Sequence, residues 1–167
     1  MSAPERDLDA LARRVERLEQ RLDGHPERSD ADRQADRFWA LTGLKEHVGQ
    51  PAVVYAGVAE LGGRPPVEWQ MGHLNQTLLD EDWRDHSAAL ASLGHPVRLE
   101  ILQLVARGPD ATAAELAERL GHGTTGQIYH HLRQLVAAGW LRSTTRGRHQ
   151  IPPERVVPLL AILAASR

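Results

Sequence analysis

The sequence predicts a mainly α fold of the α+β type, and three observations predict it. Apolar residues recur at helical spacing in several separate segments. Two capping boxes, Thr112 with Glu115 and Thr124 with Gln127, open two short helices almost back to back. Strand-like runs at residues 52–59 and 67–71, and an apolar strand beginning at Trp140-Leu141, interrupt the helical pattern.

In chain order, Leu8, Leu11, Val15, Leu18 and Leu22 are spaced 3, 4, 3 and 4, an a/d heptad stripe on an otherwise charged segment. Residues 1–23 therefore read as an amphipathic, coiled-coil-like helix. Self-pairing and packing of a surface helix on its own domain both fit so short a stripe. Asp23-Gly24-His25-Pro26 breaks it, and residues 24–29 read as a linker. From Asp30 the pattern turns helical again. Phe38, Trp39, Leu41, Leu44 and Val48 fill one face, and Gly49-Gln50-Pro51 stops it. Ala52–Ala59 and Val67–Met71, separated by Leu61-Gly62-Gly63-Arg64-Pro65-Pro66, form a β-hairpin pattern, so residues 30–79 are expected to be an extra helix and hairpin module. Five of the seven aromatics (Phe38, Trp39, Tyr55, Trp69, Trp83) fall in or near this module. They fit either a small aromatic core or a pocket for a small-molecule effector.

Asp80-Glu81-Asp82-Trp83 has the acidic first turn that a helix dipole favours. Pro96 suits the first position of the next helix, which buries Val97, Ile101, Leu102 and Val105 and ends at Gly108-Pro109. Thr112 opens a helix with Leu116 and Leu120 inward, closed by Gly121. Thr124 opens another with Ile128, Leu132 and Leu135 inward, closed by Gly139. Helices joined by so tight a turn must cross, which is the helix-turn-helix arrangement. The second helix then turns Thr125, Gly126, Tyr129, His130 and Arg133 outward, side chains with lengths and donors suited to base edges and phosphates. Trp140-Leu141 begins an apolar strand. Arg146-Gly147-Arg148 reads as a hairpin tip, and Arg142, Arg146 and Arg148 surround it with no acidic residue between Leu141 and Pro153. Helix, turn, helix and basic hairpin is the winged-helix order.

Residues 88–165 resemble a winged helix-turn-helix regulator of the arsenic-repressor (ArsR) type. The likeness rests on Leu93-Gly94-His95-Pro96-Val97-Arg98-Leu99-Glu100-Ile101-Leu102, on Gly123-Thr124-Thr125-Gly126-Gln127 with Tyr129-His130-His131-Leu132, and on the wing. It implies a DNA-binding transcriptional regulator, a repressor acting as a homodimer on double-stranded DNA. Thr124, Thr125, Gln127, Tyr129, His130, Arg133, Arg142, Arg146 and Arg148 would then be at the DNA. The terminal helix from Pro153 would meet a second subunit, and its Val156, Leu159, Leu160 and Leu163 are the expected contacts. Residues 80–167 would form this domain. In many members of that family cysteines on the first helix of the motif, or Asp and His on the terminal helix, hold a metal. Neither pattern is present, so no metal or other cofactor is expected.

The charge distribution agrees with a nucleic-acid partner although the whole chain carries a formal −2. Residues 1–87 hold 11 Lys/Arg against 17 Asp/Glu, whereas residues 88–167 hold nine against five. With no cysteine in the sequence, disulfides and thiolate metal sites are excluded. The charged N-terminus lacks an apolar signal core, and no run approaches the roughly 18 apolar residues of a membrane span. The expectation is a soluble, cytoplasmic protein. Phosphate loops, nucleophile elbows and metalloprotease motifs are missing, so an enzyme is not expected. A protein-interaction factor that kept the fold is the remaining alternative; it would be marked by an acidic wing, and this wing is basic.

Overall fold

The structure is a computed structural model that describes residues 38–167. The Leu8–Leu22 stripe and the 24–29 linker lie outside the described residues. The chain divides into two compact units, residues 1–49 and 50–167. Of the first, the described part is helix α1, Trp39–Val48, which ends in a left-handed Gly49 (φ 68°) as its sequence requires.

The second unit opens with the hairpin β1 (Ala52–Ala59) and β2 (Val67–Leu74), antiparallel from Ala52↔Leu74 to Ala59↔Val67. Then follow α2 (Asn75–Asp80), a 3-10 turn at Trp83–His86, α3 (Ser87–Leu93) and α4 (Pro96–Arg107). The acidic run 80–82 does not start an α-helix directly. Asp82 instead caps the 3-10 turn by accepting from the Arg84 backbone N–H (3.0 Å). Next come β3 (Ala111–Thr112), α5 (Ala113–Leu120), α6 (Thr125–Ala137), β4 (Arg142–Ser143), β5 (Arg148–Gln150) and α7 (Pro153–Ala165). The three short strands form a sheet in the order β3-β5-β4, with Thr112↔Arg148 and Arg142↔Gln150 opposite each other. The architecture is a winged helix-turn-helix with an added hairpin. Trp140 and Leu141, expected to open the wing strand, are instead buried ahead of it. The Gly139 turn aims them inward, with the Trp140 N–H bonded to the Leu135 carbonyl (2.9 Å).

One core runs through α4, α5, α6 and α7, centred on Ile101, Leu102, Val105, Leu116, Ile128, Leu132 and Leu135. Full burial of such side chains contributes roughly 1.5–3 kcal/mol each. The hairpin does not stand apart as a module ending at residue 79. Leu61 and Val67 pack on the core, and Gly57 lies so close to α7 that a Cβ there would meet Val157 at 3.1 Å. Gly62 (φ 52°) presses on the Gly108 backbone, where a Cβ would come within 2.5 Å of the carbonyl oxygen. The hairpin belongs to the same compact unit as the helices, residues 50–167, and covers part of α7.

Candidate nucleic-acid interface

Helix α6 carries the outward residues. Its first turn is set by a complete capping box: Thr124 Oγ1 accepts from the Gln127 N–H (3.3 Å), and Gln127 Oε1 accepts from the Thr124 N–H (2.8 Å). Both side-chain oxygens are thus engaged in holding the helix start. Thr125, Tyr129, His130 and Arg133 are exposed on the face opposite Ile128, Leu132 and Leu135. The Arg133 side chain makes no hydrogen bond or ion pair among the described residues, which leaves its guanidinium free to reach a ligand. The entering turn is fixed by left-handed Gly121 and Gly123 (φ 69° and 80°) and by His122, whose Nε2 lies 2.9 Å from Glu100 Oε2 on α4.

Beneath the helix, Arg98 of α4 gathers three elements. It donates to the Ala91 and Ser92 carbonyls at the end of α3 (2.8 and 2.5 Å) and to Gln134 Oε1 of α6. Gln134 Nε2 in turn lies 3.0 Å from His130 Nε2. His131 turns toward the body of the domain, its ring 4.6 Å from that of His95, whose Nδ1 accepts from the Val97 N–H to cap α4. Burial, then the neighbouring His95, Arg98 and His130, push the His131 imidazole below the usual histidine value.

The wing arginines divide into two kinds. Arg146 is exposed at the tip with φ 67°, next to Gly147 at φ 68°, in a turn closed by the Thr144 N–H on the Arg148 carbonyl (2.7 Å). It is the one non-glycine at positive φ among the described residues. Such a conformation costs of order 1 kcal/mol or more and tends to occur where a site needs it. Arg142 is exposed along β4; with the Gln150 amide oriented to satisfy both neighbours, it donates to Gln150 Oε1, and Gln150 donates to Asp110 Oδ2 (3.2 Å). Arg148 differs from the expectation of a DNA contact. It is turned to the base of the wing, donating to the Asp110 carbonyl and to Glu115 Oε1 (2.9 Å). The Thr112 backbone N–H, and beyond it Arg148, hold the Glu115 carboxyl below the usual carboxylate range against partial desolvation. Asp110 also takes Arg64 of the hairpin turn (2.6 Å), so one carboxylate ties the hairpin to the wing. Asp110, Arg64, Gln150 and Arg98 carry no local signature in the sequence. Their partners lie up to 46 residues away.

The terminal helix also divides. Val156 and Leu159 are 2% and 4% exposed and belong to the chain's own core, so they are not available to a second subunit. Leu160 and Leu163 are 41% and 39% exposed and border a groove of about 620 Å³ between α4 and α7. Of the aromatics, Trp39 in the first unit is largely exposed; in the second unit Trp83 is largely exposed too, and Trp83 and Tyr55 border a separate groove on α7. Among the described residues there is no group of three or more side chains placed to hold a metal ion, and no helix long and apolar enough to cross a membrane.

A family model described as a helix-turn-helix domain matches residues 93–144, the span from the end of α3 through β4. No curated protein matches the sequence. Among solved structures, the chain is similar to the crystal structure of an ArsR family transcriptional regulator, at 24% identity over 52% of this chain and 90% of that one, with a TM-score of 0.41. That superposition is too loose to add to the assignment; the helix-turn-helix match rests on the sequence of residues 93–144.

Proposed function

We propose that this protein is a sequence-specific DNA-binding transcriptional regulator, a repressor of the ArsR type that acts as a homodimer. One observation carries the reading: an exposed polar face of Thr125, Tyr129, His130 and Arg133 on the second helix of the motif, beside a basic wing, within a stretch that has no acidic residue between Glu118 and Glu154. A helix of this kind enters the major groove and reads base edges, while the wing engages the backbone. Arg142 and Arg146 are the wing residues assigned to phosphates or the minor groove. Arg148, Thr124 and Gln127 hold the reading surface in shape, though Gln127 keeps an amide N–H₂ that can still donate to DNA. The exposed Leu160 and Leu163 support a second copy docking along α7, which would set two recognition helices about 34–36 Å apart on a pseudo-palindromic site.

The test is to incubate the protein with fragmented genomic DNA and sequence what it protects. A recurring pseudo-palindrome with half-sites one helical turn apart is expected. Fragments without any common motif would overturn the reading.

A further inference from the structure

The stripe of α7 that carries Arg155, Pro158 and Ile162, distinct from the one with Leu160 and Leu163, forms one wall of a concave site of about 650 Å³. Trp83, Leu90 and Trp140 also line it. The size falls within the range of small-molecule sites. Both indole N–H groups are already used: Trp83 Nε1 donates to the Leu78 carbonyl (2.7 Å) and Trp140 Nε1 to the Ala89 carbonyl (3.0 Å). The two tryptophans therefore offer ring surface and no further polar demand. Trp83 is 65% exposed, a large apolar face held in place by its hydrogen bond with nothing described covering it.

The charges at the rim are unequal. Glu81 is paired with His86 (3.1 Å). Arg155 is half-buried, with its guanidinium carbon 5.2 Å from the centre of the Trp140 ring, and among the described residues that guanidinium has no hydrogen bond or ion pair. A partly desolvated guanidinium stacked on an indole still has its fork of N–H donors to satisfy, and a carboxylate is the group that matches it. A neutral carbonyl could accept from those donors too, but without the charge pairing that a carboxylate adds.

We propose that this groove binds an organic acid with a flat apolar body, such as an arylalkanoic acid, its carboxylate on Arg155 and its ring between Trp83 and Ile162. This assignment is independent of DNA binding, and it is read on the free protein so that either can fail alone.

Phenylacetate, 4-phenylbutyrate and 2-naphthoate, each beside its carboxamide, are titrated into the full chain by calorimetry. At least one acid is expected to bind at least tenfold more tightly than its amide. Arg155→Gln should abolish that preference, and Arg155→Lys should restore part of it. Trp83→Ala, a change at an exposed ring, should weaken acid and amide alike; circular dichroism melting checks that each variant is folded. The proposal is overturned if none of the three acids binds at 1 mM (about the weakest affinity worth calling a site), if acids and amides bind equally, or if Arg155→Gln binds the acids as the parent does. It is also overturned if Trp83→Glu converts a sedimenting dimer to monomers, because the groove would then be filled by a second copy.

Discussion

Arg133 and Arg148 are the same residue with opposite assignments, and only their partners separate them. Arg133 stands without a partner on the exposed face of α6, while Arg148 is spent on Asp110 and Glu115. Arg133→Ala should weaken binding to the selected site by about 1–3 kcal/mol and relax selectivity at one base position, read by titration against single-base variants. Replacing Arg142 and Arg146 together with alanine should flatten the salt dependence of binding by about two slope units; Arg148→Ala should leave the slope unchanged and lower the urea midpoint instead. His131 gives a pH dependence of stability. Its folded-state pKa lies below the unfolded value of about 6.5, so the unfolded chain binds more protons in the window beneath that value. Stability is full above the unfolded pKa and falls as pH drops below it toward the folded one. Urea midpoints measured from pH 7.5 to 5 should decline, and His131→Gln should decline less.

At the scale of elements, much was legible in the sequence because it was local. Both capping boxes, the terminating Gly49, Gly121 and Gly139, and Pro96 at the start of α4 occur as the residue pattern requires, since each depends on neighbours within four positions. The hairpin was legible from its turn and strand formers. What escaped was non-local: Arg148 reads as a wing-tip cation until its Glu115 partner, 33 residues distant, is known, and Asp110 has no pattern of its own. Val156 and Leu159 share their apolar character with Leu160 and Leu163, so sequence alone cannot divide the helix between core and surface. Gly62 tests one of these non-local contacts. Because φ is positive there and the Gly108 carbonyl leaves no room for a Cβ, Gly62→Ala should lower stability by at least about 1 kcal/mol in chemical denaturation, whereas Gly63→Ala should cost less, because it meets only the backbone strain.

For the whole molecule, the hairpin, the helix-turn-helix and the terminal helix share one core within residues 50–167. The expected assembly places the second copy on the outer edge of α7. Leu160→Glu with Leu163→Glu should therefore yield monomers in sedimentation with an unchanged circular dichroism spectrum, and half-site linkage should be lost, with operator affinity falling accordingly.

The junction between β5 and α7 has a mechanical meaning. Gln150 ends the strand, Ile151 and Pro152 are buried, and Pro153 already begins the helix. Two consecutive prolines fix their own φ angles, and burial removes the freedom of what remains. No slack separates the helix from the wing. A displacement of α7 would therefore pass to β5 through a short, stiff joint instead of being absorbed by it.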